Sequence, residues 1–180
     1  LVERLQLISQ RFFGKDYLMG ALREGPEGQF DQSPLYRTDG FDCVTFVNTV
    51  CALSLGRDLK SFQECIKKIA YHKAEVSYHH RHHFTSADWN IHNAELGLLQ
   101  DVTDSIIDQS GKACAEIATT LIDRPTWFHK RSAADLKLLH NVNVLETKQL
   151  LQKLYELANN VDSVAVSTPY LALNTLFDDK

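Results

Sequence analysis

The amino-acid sequence predicts an α+β fold in one domain. Apolar residues recur at helical spacing through residues 1–75, while strand-like alternation appears only within residues 76–180. The 180 residues are 44% hydrophobic and 23% charged, enough for a sizeable core and too apolar for general disorder. The net charge of −4 gives no basic excess to draw the chain onto nucleic acid or an anionic membrane. No apolar run approaches the roughly 20 residues of a membrane-spanning helix.

Leu1, Leu5, Ile8 and Phe12 share one face, so residues 1–13 read as an amphipathic helix. They lack the basic stretch, apolar core and cleavage site of a signal peptide, leaving open one removed earlier. Residues 20–40 carry Gly20, Gly25, Pro26, Gly28, Pro34 and Gly40 and read as an ordered loop, uncommon at this length unless functional. Residues 41–55 are apolar on nearly every side, the mark of a buried helix, and Gly56 is its expected stop. Leu59, Phe62, Ile66 and Ile69 form the stripe of a covering helix over 59–70.

Residues 75–78 read as a short strand. Ser86 is placed as the cap of a helix over 87–98, with Asp88 in its first turn. Strands are expected at 99–107 and 113–122, the second alternating with the period of a sheet that has one wetter face. Residues 124–131 read as loop and 146–158 as an amphipathic helix on Leu150, Leu151, Leu154 and Leu157. Residues 161–166 read as a strand broken by Pro169.

Cys43, Cys51, Cys65 and Cys114 form no CxxC pair, which argues against a zinc ribbon or a disulfide framework. Cys51 and Cys65 suit small core positions. Cys43 is different, because a Gly- and Pro-rich loop delivers it to the first turn of the 41–55 helix. The amide groups there lack intrahelical acceptors, and the helix end carries about +0.5 charge. Both favour a thiolate and can stabilise the oxyanion formed when it attacks an amide carbonyl. One more core cysteine is the competing reading.

The run Tyr36-Arg37-Thr38-Asp39-Gly40-Phe41-Asp42-Cys43-Val44-Thr45-Phe46-Val47 resembles the NlpC/P60 superfamily of cell-wall hydrolases. A closer resemblance is to its DUF1460 branch, the N-acetylmuramoyl-L-alanine amidase-like proteins. It is carried by Ile8-Ser9, Phe13-Gly14, Asp31-Gln32-Ser33-Pro34-Leu35-Tyr36-Arg37, Ala52-Leu53, Arg81-His82-His83-Phe84-Thr85-Ser86-Ala87-Asp88-Trp89 and Thr168-Pro169-Tyr170. The resemblance implies a papain-like fold with added helices and a Cys-His amidase acting on a muropeptide in the periplasm or cell envelope. The cut would fall between the lactyl group of N-acetylmuramic acid and L-alanine. Cys43 would be the nucleophile, Tyr36 would border it and donate to the oxyanion, and Arg37 would hold the loop or meet a substrate carboxylate. Asp42, Arg81, His83, Phe84, Asp88 and Trp89 would line the substrate cleft. Core packing for Trp89 and a helix-start charge for Asp88 remain alternatives.

The superfamily's base is a His followed by a small or β-branched residue and Gly, and no such tripeptide occurs here. The family's chains also continue past the Pro-Tyr motif. The expectation is that the C-terminal strands, with the base, lie outside these 180 residues. His72, His79, His80, His82, His83 and His92 crowd a short stretch, yet no HExxH or carboxylate completes a ligand set, so no metal and no cofactor is expected. A non-catalytic muropeptide-binding module and a His-rich metal-binding protein are the competing functions.

Overall fold

The computed structural model describes residues 1–21, 24–29, 32–108, 110–135, 149, 152–153, 156 and 162–171. The order is α1 (Val2–Arg11), β1 (Asp16–Tyr17), β2 (Gly40–Phe41), α2 (Cys43–Leu55), α3 (Leu59–Ala70), a π-helical turn (Thr85–Trp89) running into α4 (Asn90–Glu95), β3 (Ala115–Ile122), α5 (Arg124–Asp135) and β4 (Val164–Leu171). The α+β expectation holds. Among these residues no helix is long and apolar enough to cross a membrane.

The core lies between α2 and α3. Ala52, Phe62, Ile66 and Ile69 are buried together, with Tyr36, Cys51, Leu53, Cys65 and Trp89 packed against them. The α3 stripe is therefore as expected, except that Leu59 is left exposed. Helix α2 departs from its expected all-round burial. It buries its small and polar residues Thr45, Asn48, Thr49, Ala52 and Ser54, while Val47 and Cys43 are exposed. Small side chains let α3 approach closely, and the buried Ser54 hydroxyl donates to the Val50 carbonyl at 2.7 Å.

Gly56 does stop α2, at an ordinary negative φ. Close approach explains the glycine: a Cβ there would sit 2.9 Å from the Phe62 nitrogen and 3.0 Å from the Ala52 carbonyl oxygen. Because both are backbone atoms, Gly56→Ala is expected to cost about 1–3 kcal/mol in urea unfolding, and an unchanged midpoint would contradict this packing. Arg4 of α1 donates to the Leu53 and Gly56 carbonyls at 2.9 and 2.7 Å, fastening α1 to the same helix end.

The end of α3 is unusually well satisfied. Its last carbonyls, which a helix leaves without partners, accept from the Tyr71 amide, His92 Nε2, Asn93 Nδ2 and the His82 amide in turn. His92 and Asn93 belong to α4, so these bonds dock α4 onto α3.

Five local expectations are corrected. Residues 75–78 form a turn rather than a strand: Lys73 and Ala74 take left-handed backbone angles, and the chain reverses so that Tyr71 bridges to Arg81. Ser86 caps nothing, because the helical segment starts at Phe84, whose carbonyl accepts from the amides of both Asp88 and Trp89, and α4 ends at Glu95. Residues 99–107 are not a strand. The Asp101 carboxylate takes the Thr103 amide and opens a 3₁₀ turn, leaving one bridge at Ile107. Residues 124–131 are helix α5, started by Asp123, whose carboxylate accepts from the Thr126 amide at 3.0 Å, with Pro125 in the first turn where proline is tolerated.

Finally, Pro169 does not break a strand. β4 runs through it, pairing Pro169 with Ile117 in a ribbon that holds β3 and β4 alone among the described residues. An edge position tolerates a missing N–H. β3 is exposed along nearly its whole length rather than on one side. The leucine stripe expected in 146–158 lies outside the described residues.

Candidate active site

Cys43 occupies the first position of α2 and is exposed. Two features fix that helix start. Asp42 is its N-cap: Oδ1 accepts from the Thr45 amide at 2.8 Å, and the Asp42 amide donates back to Thr45 Oγ1 at 2.9 Å. Asp42 Oδ2 also accepts from the Gly20 amide at 3.1 Å, tying the preceding loop to the same point. The short pairing of β1 with β2 brings Tyr17 beside Phe41, and Gly40 makes room for Leu18, whose Cδ1 would lie 2.4 Å from a Cβ there. The cap uses the Thr45 amide. The Cys43 and Val44 amides stay at the helix end, where no intrahelical acceptor exists.

Other implied site residues fall into separate groups. Tyr36 packs edge-on against Phe62 and accepts from Gln63 Nε2 at 2.7 Å, lining a cavity of about 680 Å³ with Lys67 and Tyr78. Arg37 forms a two-bond pair with Asp39 at 2.6 and 2.7 Å, and this bond holds the Asp39 carboxyl down at about 2. Arg37 thus holds the loop before α2.

Arg81, His83 and Trp89 line a cavity with residues of α2, and Phe84 and Asp88 line the neighbouring histidine-lined cavity. Helical geometry puts Asn48, five residues after Cys43, roughly 140° around the helix from it. Cys43 and Val47 face outward, while Asn48 and Thr45 line a cavity of about 210 Å³ with Asp42, His82, His83 and Trp89. Arg81 pairs with the buried Glu24 at 3.0 Å. His83 Nε2 donates to the Tyr78 carbonyl at 2.6 Å, and its ring sits among Tyr78, Phe84, Trp127 and Phe128. Asp88 pairs with Arg124 at 2.5 Å and accepts from the Phe84 amide; burial pushes its carboxyl up, against the pull of Arg124. Trp89 donates from Nε1 to Asn48 Oδ1 at 2.8 Å.

Sequence reasoning missed Asn48 and Arg124. Asn48 had a signal, an amide inside an apolar helix. Arg124 had none, since its partner is distant in the chain.

The imidazoles line a third cavity, of about 690 Å³. His92 donates to the Lys68 carbonyl, His80 bonds Ser77 Oγ through Nδ1, and the His82 and His92 rings lie 4.3 Å apart. Among the described residues no group of three His, Cys, Asp or Glu is placed to hold a metal ion. Burial, then the neighbouring His92 and His72, push His82 down to about 4.

The unfolded chain takes up this proton as pH falls through about 6.5, whereas the folded chain resists until about 4. The unfolded state binds more protons across that window, so stability is lost as pH falls from 6.5 to 4. His82→Gln is expected to flatten that part of the thermal-unfolding profile. A fall as steep as in the unsubstituted chain would contradict the assignment.

A capped helix presenting an exposed cysteine, packed on helices and accompanied by a β ribbon, defines an α+β protein with a candidate thiol-nucleophile site. The chain belongs to the AmiA-like, N-acetylmuramoyl-L-alanine amidase-like family, whose match runs over residues 7–174. A solved Legionella pneumophila structure of the DUF1460 family shares 39% identity at a TM-score of 0.92, over 98% of this chain and 59% of that one. Two Bacteroides uniformis structures titled N-acetylmuramoyl-L-alanine amidase share 21% and 18% identity at TM-scores of 0.58 and 0.59. They cover 84% and 91% of this chain and are themselves covered over 60% and 64%. The chain thus spans about three-fifths of the length of these relatives. No curated protein matches it.

Proposed function

We propose that this chain carries the nucleophile of a cysteine amidase of the papain-like NlpC/P60 type. Its reaction would be hydrolysis of the bond between the lactyl group of N-acetylmuramic acid and L-alanine in muropeptides. The observation that carries the reading is Cys43, exposed at the first position of a doubly anchored helix, in a chain of the amidase-like family.

Cys43 Sγ attacks the lactyl carbonyl carbon as a histidine accepts the thiol proton. The carbonyl oxygen becomes an oxyanion facing the Cys43 and Val44 amides. Collapse expels the L-alanine nitrogen, which takes the proton back from the histidine, and leaves a thioester. Water then releases the lactyl carboxylate and restores the thiol. Tyr36 bonds Gln63 as acceptor and keeps its own proton to give, which is compatible with the oxyanion role that the family resemblance implies for it. None of the described histidines is hydrogen-bonded to Cys43. The substrate lies in the cell wall, so the reading places the protein in the periplasm or cell envelope.

The test is incubation with N-acetylmuramoyl-L-alanine and mass-spectrometric detection of free L-alanine and N-acetylmuramic acid. Release that iodoacetamide blocks supports the reading. Tight binding without release, with Cys43 no more reactive towards iodoacetamide than Cys51, Cys65 and Cys114, would favour the non-catalytic muropeptide-binding module.

A further inference from the structure

The turn that follows α3 meets α4 through two imidazoles. The His82 amide donates to the Ala70 carbonyl at 3.0 Å, and the His82 ring lies 4.3 Å from the His92 ring of α4. His82 Nε2 is buried and has no hydrogen-bond partner among the described residues. A charged imidazole donates from both nitrogens, so this arrangement suits a neutral His82 and leaves no acceptor for a second proton.

The surrounding charges do not supply what an imidazolium would need. In the same cavity Arg81 is committed to Glu24 and Arg124 to Asp88. His72, His79, His80 and His83 add rings that charge with the same sign, and Glu75 faces His80. Glu95 of α4 and Asp162 ahead of β4 are exposed, where solvent screens them. From α3, Lys68 contributes its carbonyl, while its side chain is exposed.

Helix α4 is the element able to respond. It has six residues, too few to hold a helix unaided. His92 docks it on the Lys68 carbonyl at 2.7 Å, Asn93 on the Ile69 carbonyl at 3.1 Å, and Trp89, just ahead of it, on Asn48 Oδ1 at 2.8 Å. Undocking takes His92 away and bares His82, and an imidazole in water gains its proton near pH 6.5. In the docked state burial, then His92 and His72, keep His82 neutral down to about 4. The open state binds more protons between those values, so opening becomes easier as pH falls.

We propose that the His82–His92 contact is an acid-released latch, holding α4 on α3 at neutral pH and letting it open as the medium acidifies. Trp89 leaves with α4, so the wall it forms beside Asp42 and Val44 at the start of α2 loosens too. The latch is independent of the amidase reading.

The experiment is hydrogen exchange by NMR on the isotope-labelled chain from pH 7 to 4.5, with each rate divided by the intrinsic rate at that pH. Protection of the α4 amides and the Trp89 indole proton is expected to fall about tenfold or more across that range. At every pH it is expected to stay at least about tenfold below that of the Phe62 and Ile66 amides, the mark of an opening smaller than unfolding. In His82→Gln the fall is expected to shrink to less than about threefold. Unchanged α4 protection, protection equal to that of Phe62 and Ile66, or an equally steep fall in His82→Gln each overturns the proposal. Should His82→Gln fail to fold, titration of the His82 ring resonances takes its place. A midpoint below about 5.5 supports the latch, and one near the ordinary 6.5 or so overturns it.

Discussion

Cys43→Ala is expected to lower release of L-alanine from N-acetylmuramoyl-L-alanine by about 10³-fold or more, with the fold intact. The size follows from losing the covalent route: a single group that forms the intermediate cannot be removed by halves, and what remains is binding and oxyanion stabilisation. The intact fold follows from exposure. The Cys43 side chain is exposed, and substitutions of that kind change stability by about 0.5 kcal/mol or less. Labelling of the unsubstituted chain gives an independent reading. Cys43 is exposed while Cys51, Cys65 and Cys114 are partly covered, and burial pushes the Cys51 thiol up. Iodoacetamide should therefore reach Cys43 first and abolish release as it does so. Undiminished release by Cys43→Ala would remove Cys43 from the mechanism.

What was legible in the sequence is what depends on near neighbours. The period of Phe62, Ile66 and Ile69 identified α3 and its buried face, and the loop delivering Cys43 to a helix start was visible from glycine and proline alone. The missed start of α5 was also local. Asp123, Pro125 and Thr126 form a capped first turn, in a segment that the sequence reading takes as loop. Contacts between distant segments were not legible. Nothing in the stretch around Trp89 announces that its indole meets Asn48, or that Asp88 is held by Arg124. Those contacts decide which side of α2 the motif residues occupy. A motif orders residues along the chain and implies that they share a site. Cys43 faces outward while its neighbours Asp42 and Val44 line one cavity with Trp89 and Arg81, and the tight turn at Lys73 and Ala74 replaces the strand expected at 75–78.

Arg81→Met is expected to lower the unfolding free energy by about 3–5 kcal/mol, the cost of taking one partner from a buried ion pair. The Arg81 side chain is 11% exposed and its partner Glu24 only 2%, with Nη1 and Oε1 3.0 Å apart. The guanidinium also lies over the Tyr78 ring, 5.0 Å from its centre. Removing it takes a charge partner at 3.0 Å from a carboxylate that is only 2% exposed, and a methionine cannot replace that charge. Adding Glu24→Gln should recover part of the loss, because a neutral amide is less costly to bury than a carboxylate, and urea unfolding of both single variants and the double variant measures that coupling. The result also decides what Arg81 is for. A substrate-binding arginine would raise KM on replacement and leave stability nearly unchanged. An arginine that pins the Glu24 loop to the turn after α3 lowers stability first, and substrate handling suffers only as the loop that anchors Asp42 through Gly20 loosens. A loss below about 1 kcal/mol, with KM raised, would return Arg81 to the substrate cleft.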